Sequence, residues 1–326
     1  MASRRILLAG GLASALAAPA VRAQGSATAD WPNRPIRLVV PFAPGGQSDT
    51  VARLLQPLVS ERLGQTLVIE NRTGAGGAIG AGLVAQAPAD GYTLMFDAAS
   101  FLIVPFAVRG LSFDYATAFT PVGMVAEQPY VLAVTQDFPA RDVAGFVAAA
   151  KAGREISYGS PGVGSVGHLA GALLASRAGI RLEHVPYRGG ADAARDLAAG
   201  TLQAGIMSTN SLDPLFQGGR ARPLALTSGQ RRGGPPGVPT LAESGYPGFD
   251  MTSWNAVFAR TGTPAPIIAR VAEALNHATT DAGVQAALRR IGSEAQPADP
   301  AAFAARLDRE RGTIRTIIAE TGITFG

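Results

Sequence analysis

Along much of this chain, short runs of β-branched and apolar residues alternate with longer stretches whose apolar residues recur every three or four positions. Arg37-Leu38-Val39-Val40-Pro41-Phe42 reads as a buried strand. Val51, Leu54, Leu55, Leu58, Val59 and Leu63 then lie on one face of a helix that Gly64 stops. The same alternation continues with a strand over Thr66–Asn71, a helix through Leu83 and Val84 to about Ala87, a turn at Pro88-Ala89-Asp90-Gly91, and a strand from Tyr92 to Phe96. Such a βαβαβ order predicts a parallel sheet whose ligands bind at the carboxyl ends of its strands.

The pattern blurs from Phe113 to Val134, with short apolar runs at Val122–Val125 and Tyr130–Val134, and we read this as the passage into a second domain. Beyond it the alternation resumes. A helix is expected over Val143–Lys151, a strand over Ile156–Ser160, a helix from His168 to Leu174, a strand over Leu182–Pro186, a helix over Ala191–Ala199 and a strand over Leu202–Met207. Arg220–Gly248 is rich in Gly and Pro, with a strand at Pro223–Thr227. Ser253–Ala259 reads as a strand returning to the first domain, followed by helices over Ile267–Ala278, Ala282–Ile291 and Ala301–Glu320. The expected architecture is α/β, with lobe 1 made of residues 29–128 plus 252–326 and lobe 2 of residues 129–251. Two crossings between lobes suit a hinge.

Four glycine-rich corners fall where strands end. They are Pro44-Gly45-Gly46, Gly74-Ala75-Gly76-Gly77, Pro161-Gly162-Val163-Gly164 and Tyr187-Arg188-Gly189-Gly190. At each, the first amides of the next helix lack a helical acceptor, carry the positive end of the helix dipole and can be approached closely through Gly. One such corner is an ordinary tight turn; four of them, two in each half, mark an anion site. The candidate ligand-binding residues are Phe42, Pro44, Gly45, Gly46, Ser48, Asp49, Gly76, Gly77, Ser100, Ser160, Gly162, Ser165, His168, Tyr187, Gly189 and Ser208. Ser48 or Asp49 is the expected cap of the first helix, with Asp49 capping or orienting a donor rather than meeting an anion. His168 is read as a cap or pocket group.

Composition narrows the chemistry. The 326 residues carry a formal charge of +4, but the first 23 read as an export signal: Arg4-Arg5, an apolar segment through Pro19, then Val21-Arg22-Ala23. Its removal takes away three arginines and no acid, leaving +1. Ser3-Arg4-Arg5-Ile6-Leu7 leaves both Sec and twin-arginine export open. No basic run with interleaved aromatics suggests nucleic acid. Cys is absent, which excludes disulfides, thiolate metal sites and a Cys nucleophile. Gly46 is followed by Gln47 and Ser48 rather than Lys, against a nucleotide triphosphatase. Val163 stands where a nucleophile elbow around Ser165 needs Gly, and the three histidines lack zinc-ligand spacing. We expect no catalytic residues, no cofactor and no metal.

Residues from about Trp31 to Gly326 resemble the Bug family, the periplasmic receptors of tripartite tricarboxylate transporters. The motifs are Pro41-Phe42-Ala43-Pro44-Gly45-Gly46 with Asp49 and Ala52-Arg53, Asn71-Arg72 with Gly74-Ala75-Gly76-Gly77, and Asp90-Gly91-Tyr92-Thr93-Leu94. The second half adds His168-Leu169-Ala170-Gly171, Val185-Pro186-Tyr187-Arg188-Gly189, Asp196-Leu197, Pro239-Thr240-Leu241-Ala242-Glu243 and Ser253-Trp254. The resemblance implies a type II periplasmic binding fold, a small carboxylate held in an interlobe cleft, partly through waters near the first loop, and delivery to membrane transporter subunits. Val163 and Ser208 depart from the family pattern, where a polar and an acidic residue are common. The implied ligand lacks an amino group and has an apolar or aromatic middle, with a dicarboxylate or aromatic acid favoured. Two further readings are an orphan periplasmic sensor that serves a signalling kinase and an exported hydrolase using Ser165.

Overall fold

Strand β1 (Ile36–Val40) runs parallel to β2 (Leu67–Asn71) on one side and to β3 (Thr93–Ala98) on the other. Between β1 and β2 lies helix α1 (Gln47–Leu63), which buries Val51, Ala52, Leu55, Val59 and Leu63, and Gly64 closes it in the left-handed region at φ +72°. Pro57, on the solvent side, removes one backbone bond in its middle without ending it. Helix α2 (Ala78–Gln86) connects β2 to β3. The computed structural model describes residues 30–323, so the expected export signal lies outside the described residues.

After β3 come two short helical turns at Ala99–Leu102 and α3 (Val104–Ala107), which the apolar pattern did not announce. The blurred region is a single 17-residue strand, β4 (Phe119–Thr135). Pro121, Gly123 and Pro129 interrupt its alternation, and its pairing register shifts twice, between Pro121 and Gly123 and between Met124 and Ala126. A bulged strand shows no clean period of two. The first part of β4 pairs antiparallel with β9 (Thr252–Arg260) and β10 (Glu294–Ala298), and β9 also joins β3. From Tyr130 on, β4 pairs instead with β7 (Ala204–Ser208) and β8 (Ala221–Leu226).

The second group of strands has β5 (Ser157–Ser160) parallel to both β6 (Glu183–Pro186) and β7. Helix α4 (Val143–Lys151) precedes β5, α5 (Val166–Ala178) links β5 to β6, α6 (Gly190–Ala198) links β6 to β7, and α7 (Thr209–Gln217) follows β7. The chain ends in α8 (Ala265–Thr280), α9 (Ala282–Arg290) and α10 (Pro300–Thr321). The strand order is β2-β1-β3-β9-β4-β7-β5-β6, so β4 belongs to both groups of strands. From Pro32 onward the chain forms one compact unit. Phe101 stacks on Phe258 at 4.2 Å, and Trp254 meets Phe303 edge-on at 5.2 Å, seating α10 and the Ala99–Leu102 turn on β9. Among the described residues, no helix is long and apolar enough to cross a membrane.

Candidate functional site

The corner after β1 is held from within. Asp49, almost wholly buried, accepts the Gly45 amide at 2.9 Å, Arg53 Nε at 2.9 Å and Asn71 Nδ2 at 3.0 Å. Burial raises the pKa of this carboxyl, but the three donors outweigh it and hold it below its usual value. Asp49 thus orients the loop, and neither it nor Ser48 caps the helix. The N-cap is Gly46, without a side-chain cap, and its own amide turns back to Ala43 O at 3.2 Å. Therefore the amides of Gln47 and Ser48, one and two residues past Gly46, are the ones this corner offers.

Around that corner the carboxyl ends of both groups of parallel strands converge. Phe42, Gly46, Ser48, Gly189 and Ser208, all expected from sequence, line one cavity together with Gln47, Gln128, Tyr130, Pro161 and Ser253. No Asp, Glu, Lys, Arg or His side chain lines it. Its volume of about 20 Å³ suits one water molecule. The opposed corners touch at its rim: a methyl group on Gly76 would lie 2.3 Å from Val163 O, and one on Gly189 would lie 3.2 Å from Ala43 Cβ. Gly162, at φ +140°, sits against Gly76 and Tyr187 O. These corners need Gly because two backbones approach one another there.

The other candidates stand behind or beside the cavity. Ser100 donates to Asp97 at 3.3 Å, and burial pushes that carboxyl up to about 7. Tyr187 gives its hydroxyl to Asp196 at 2.6 Å. Pro44 and Gly45 are exposed, whereas Gly77 is buried with Pro41 as its neighbour. Ser165 caps α5 by accepting the His168 amide at 3.2 Å. Ser165 Oγ also donates to Ser160 Oγ at 3.1 Å, and Ser160 Oγ is 2.7 Å from His184 Nε2. The His184 ring stacks on His168 at 3.7 Å, and His168 Nδ1 accepts the Gly164 amide. Burial drives the two imidazoles down to about 4 and about 3, so both are neutral at pH 7. This Ser–His contact is not a nucleophile and its base. Ser160 has no exposed surface, and its oxygen is enclosed by Gly162 N, Gly162 O and Ser165. The cluster braces the Pro161–Ser165 corner.

Gln47, Ala98, Gln128, Tyr130 and Ser253 line the cavity without being among the sequence candidates or the glycine corners. Gln128 and Ser253 are register partners on β4 and β9, so both side chains leave the same face of the sheet. Gln128 Nε2 donates to Asn255 Oδ1 at 3.3 Å, and Asn255 Nδ2 donates to Ser48 Oγ at 2.9 Å. Only the Ser253-Trp254 dipeptide carried any signal for this wall.

A larger cavity meets this one at Gln128. At about 460 Å³, it is lined by Glu127, Asp250, Glu294 and Glu310 against Arg232 and Arg306. Arg306 is already clamped by Glu127 at 2.8 Å and by Glu310 at 2.5 Å. A carboxylate entering there would meet an excess of negative charge, and none of the glycine corners reaches it.

Residues 51–323 match the family described as tripartite tricarboxylate transporter family receptor. Protein BugT of Bordetella pertussis is 34% identical over 306 residues, covering 90% of each chain. Rpa4515 of R. palustris, solved with adipate, is 37% identical with a TM-score of 0.86, over 90% of this chain and 99% of that one. MatC of Rhodopseudomonas palustris, solved with bound malate, is 30% identical with a TM-score of 0.81, over 88% of this chain and all of that one. With a type II periplasmic binding fold and the corner motifs in place, the chain belongs to the Bug family of tripartite tricarboxylate transporter receptors.

Proposed function

We propose that this protein is an extracytoplasmic receptor that captures a small carboxylate between two lobes and delivers it to the membrane subunits of a tripartite tricarboxylate transporter. The lobes are residues 29–128 with 252–326, and residues 129–251. In support, β4 changes partners between Pro129 and Tyr130, from β9 to β7 and β8, and β9 starts at Thr252. The chain therefore crosses between the strand groups at two adjacent places, which is the layout of a hinge.

One observation carries the ligand class. The uncapped amino end of α1 opens on a cavity with no acidic side chain in its lining, so an anion gains donors and meets no opposing charge. The relatives solved with adipate and malate agree with that class. A ligand of that size exceeds a space fit for one water, so the corners must part to admit it and close over it. Closure driven from mostly open to mostly closed takes about 5 kcal/mol of differential contact, within reach of several charge-assisted bonds. The closed surface is then what the membrane partner recognises.

A thermal-shift screen of the chain from residue 24 against aliphatic and aromatic carboxylates, including adipate and malate, tests this reading. At least one acid should raise the melting temperature in the micromolar to low millimolar range. A panel without any shift, or turnover of an ester or amide by the same preparation, would overturn it.

A further inference from the structure

The wall formed by β4 and β9 carries a chain of three side chains whose direction the ligand itself fixes. Gln128 Nε2 donates to Asn255 Oδ1, and Asn255 Nδ2 donates to Ser48 Oγ. Two ends remain uncommitted. At one, the Ser48 hydroxyl, having accepted from Asn255, has its proton to give. At the other, Gln128 Oε1 has no hydrogen-bond partner, although Gln128 is only 1% exposed. Beside it, Gln47 spends Nε2 on Ser293 Oγ at 2.6 Å, and its Oε1 is likewise buried without a partner. Gln47, Ser48 and Gln128 all line the small cavity.

A buried amide oxygen without a donor is costly, so the wall is arranged for something that brings one. An ionised carboxylate accepts only. Placed at Ser48, it takes the serine proton and fixes the chain in the direction seen, which leaves Gln128 facing the ligand as an acceptor. A second carboxylate cannot satisfy that oxygen, but an O–H donor can, either a ligand hydroxyl or a single water of the size this cavity holds, and the matched pairs below distinguish the two. An ammonium group also donates, yet no carboxylate lines the cavity to balance its charge.

We propose that Gln128, seconded by Gln47, is a specificity-determining residue that reads a hydroxyl close to the ligand's bound carboxylate, so that the preferred ligand is a hydroxy acid. This rests on the carboxylate-receptor reading above. Sites built to hydrogen-bond a substrate hydroxyl discriminate strongly against the analogue lacking it, because the polar groups of the site are then left unpaired.

The test is calorimetric titration of matched pairs that differ only in the hydroxyl: malate against succinate, 2-hydroxyadipate against adipate, and lactate against propionate, with aspartate as the amino counterpart of malate. At least one hydroxy acid should bind tenfold or more tightly than its partner, and malate more tightly than aspartate. Gln128→Met, of nearly the same shape, should cost the hydroxy acid at least tenfold and its partner less than threefold. Should a deoxy acid bind as well as its hydroxy partner, the hydroxyl reading falls while the receptor reading stands. If no acid binds at all, both fall. The pairwise comparison on the unaltered protein decides the matter even if Gln128→Met fails to fold.

Discussion

Replacing Gly76 by Ala should weaken ligand binding far more than it weakens the fold. Gly76 sits at φ +65°, where an L-residue pays about 1–2 kcal/mol whether the opposed corners are together or apart. The new methyl group would also lie 2.3 Å from Val163 O, more than an ångström inside ordinary contact distance, and that oxygen is backbone and cannot swing aside. The second cost falls on the closed arrangement alone. Overpacking of this kind costs about 1–3 kcal/mol, and a penalty confined to one of two states lowers affinity by roughly 5- to 150-fold. Gly64→Ala is the control. Its φ of +72° is similar, nothing lies within 4 Å of the added methyl, and Gly64 only closes α1, so it should lose stability without losing affinity. Calorimetric titration with the tightest acid of the panel, paired with thermal unfolding, separates the two costs. Affinity within twofold of the unaltered protein for Gly76→Ala, alongside a drop in melting temperature like that of Gly64→Ala, would refute the reasoning that these corners close on the ligand.

Other outcomes follow from the same geometry. Gly167→Ala places a methyl 2.1 Å from Ile206 O, where α5 lies on β7, and should cost about 1–3 kcal/mol, lowering the melting temperature by roughly 2–5 °C in thermal unfolding. His168 and His184, neutral when folded, take up protons on unfolding below about pH 6.5, so the stability they provide at pH 7 is lost as pH falls towards 4. Asp97, held up at about 7, acts in the opposite sense across that window, so Asp97→Asn should steepen the loss towards about 2.7 kcal/mol per pH unit between pH 6 and 5; a flat urea-unfolding series would contradict this. Arg306→Met leaves Glu127 and Glu310 facing one another beside β4, and urea midpoints should show a loss of about 2–4 kcal/mol, partly recovered when Glu127→Gln is added.

Where the chain was legible, local chemistry was sufficient. Helix α1 announced itself by an apolar face and a terminal glycine, and the four corners by Gly and Pro after β-branched runs. Strand β4 did not, because Pro121, Gly123 and Pro129 break the two-residue period that marks a strand, while the neighbours that make it one lie far along the chain in β9 and β7. Helix α7 follows β7 with no intervening loop, and Pro214 within it interrupts the helical pattern of its sequence. The strand β10, Glu294–Ala298, is mostly polar and contains Pro297, so it owes its existence to the edge of β4 and not to its own propensity.

The site divides along the same line, and that division bears on what the receptor selects. The residues that hold the corners in shape are close in sequence to what they hold: Asp49 reaches Gly45 four residues away, and Ser165 reaches the His168 amide three away. Spacing of that kind is readable from the sequence alone. The Gln128–Asn255–Ser48 chain joins positions separated by 127 and 207 residues, and no local rule marks Gln128 or Asn255. It needs β4 and β9 to pair in one register, Gln128 opposite Ser253 and Ala126 opposite Asn255, which turns those side chains to one face, and α1 to bring Ser48 against Asn255. A one-residue slip would send both amides away from the cavity and leave the corners untouched. On the proposed reading, carboxylate capture rests with the corners and the choice among carboxylates with the register of β4 and β9, so Gln128→Met should change the preferred ligand while leaving the melting temperature close to that of the unaltered protein.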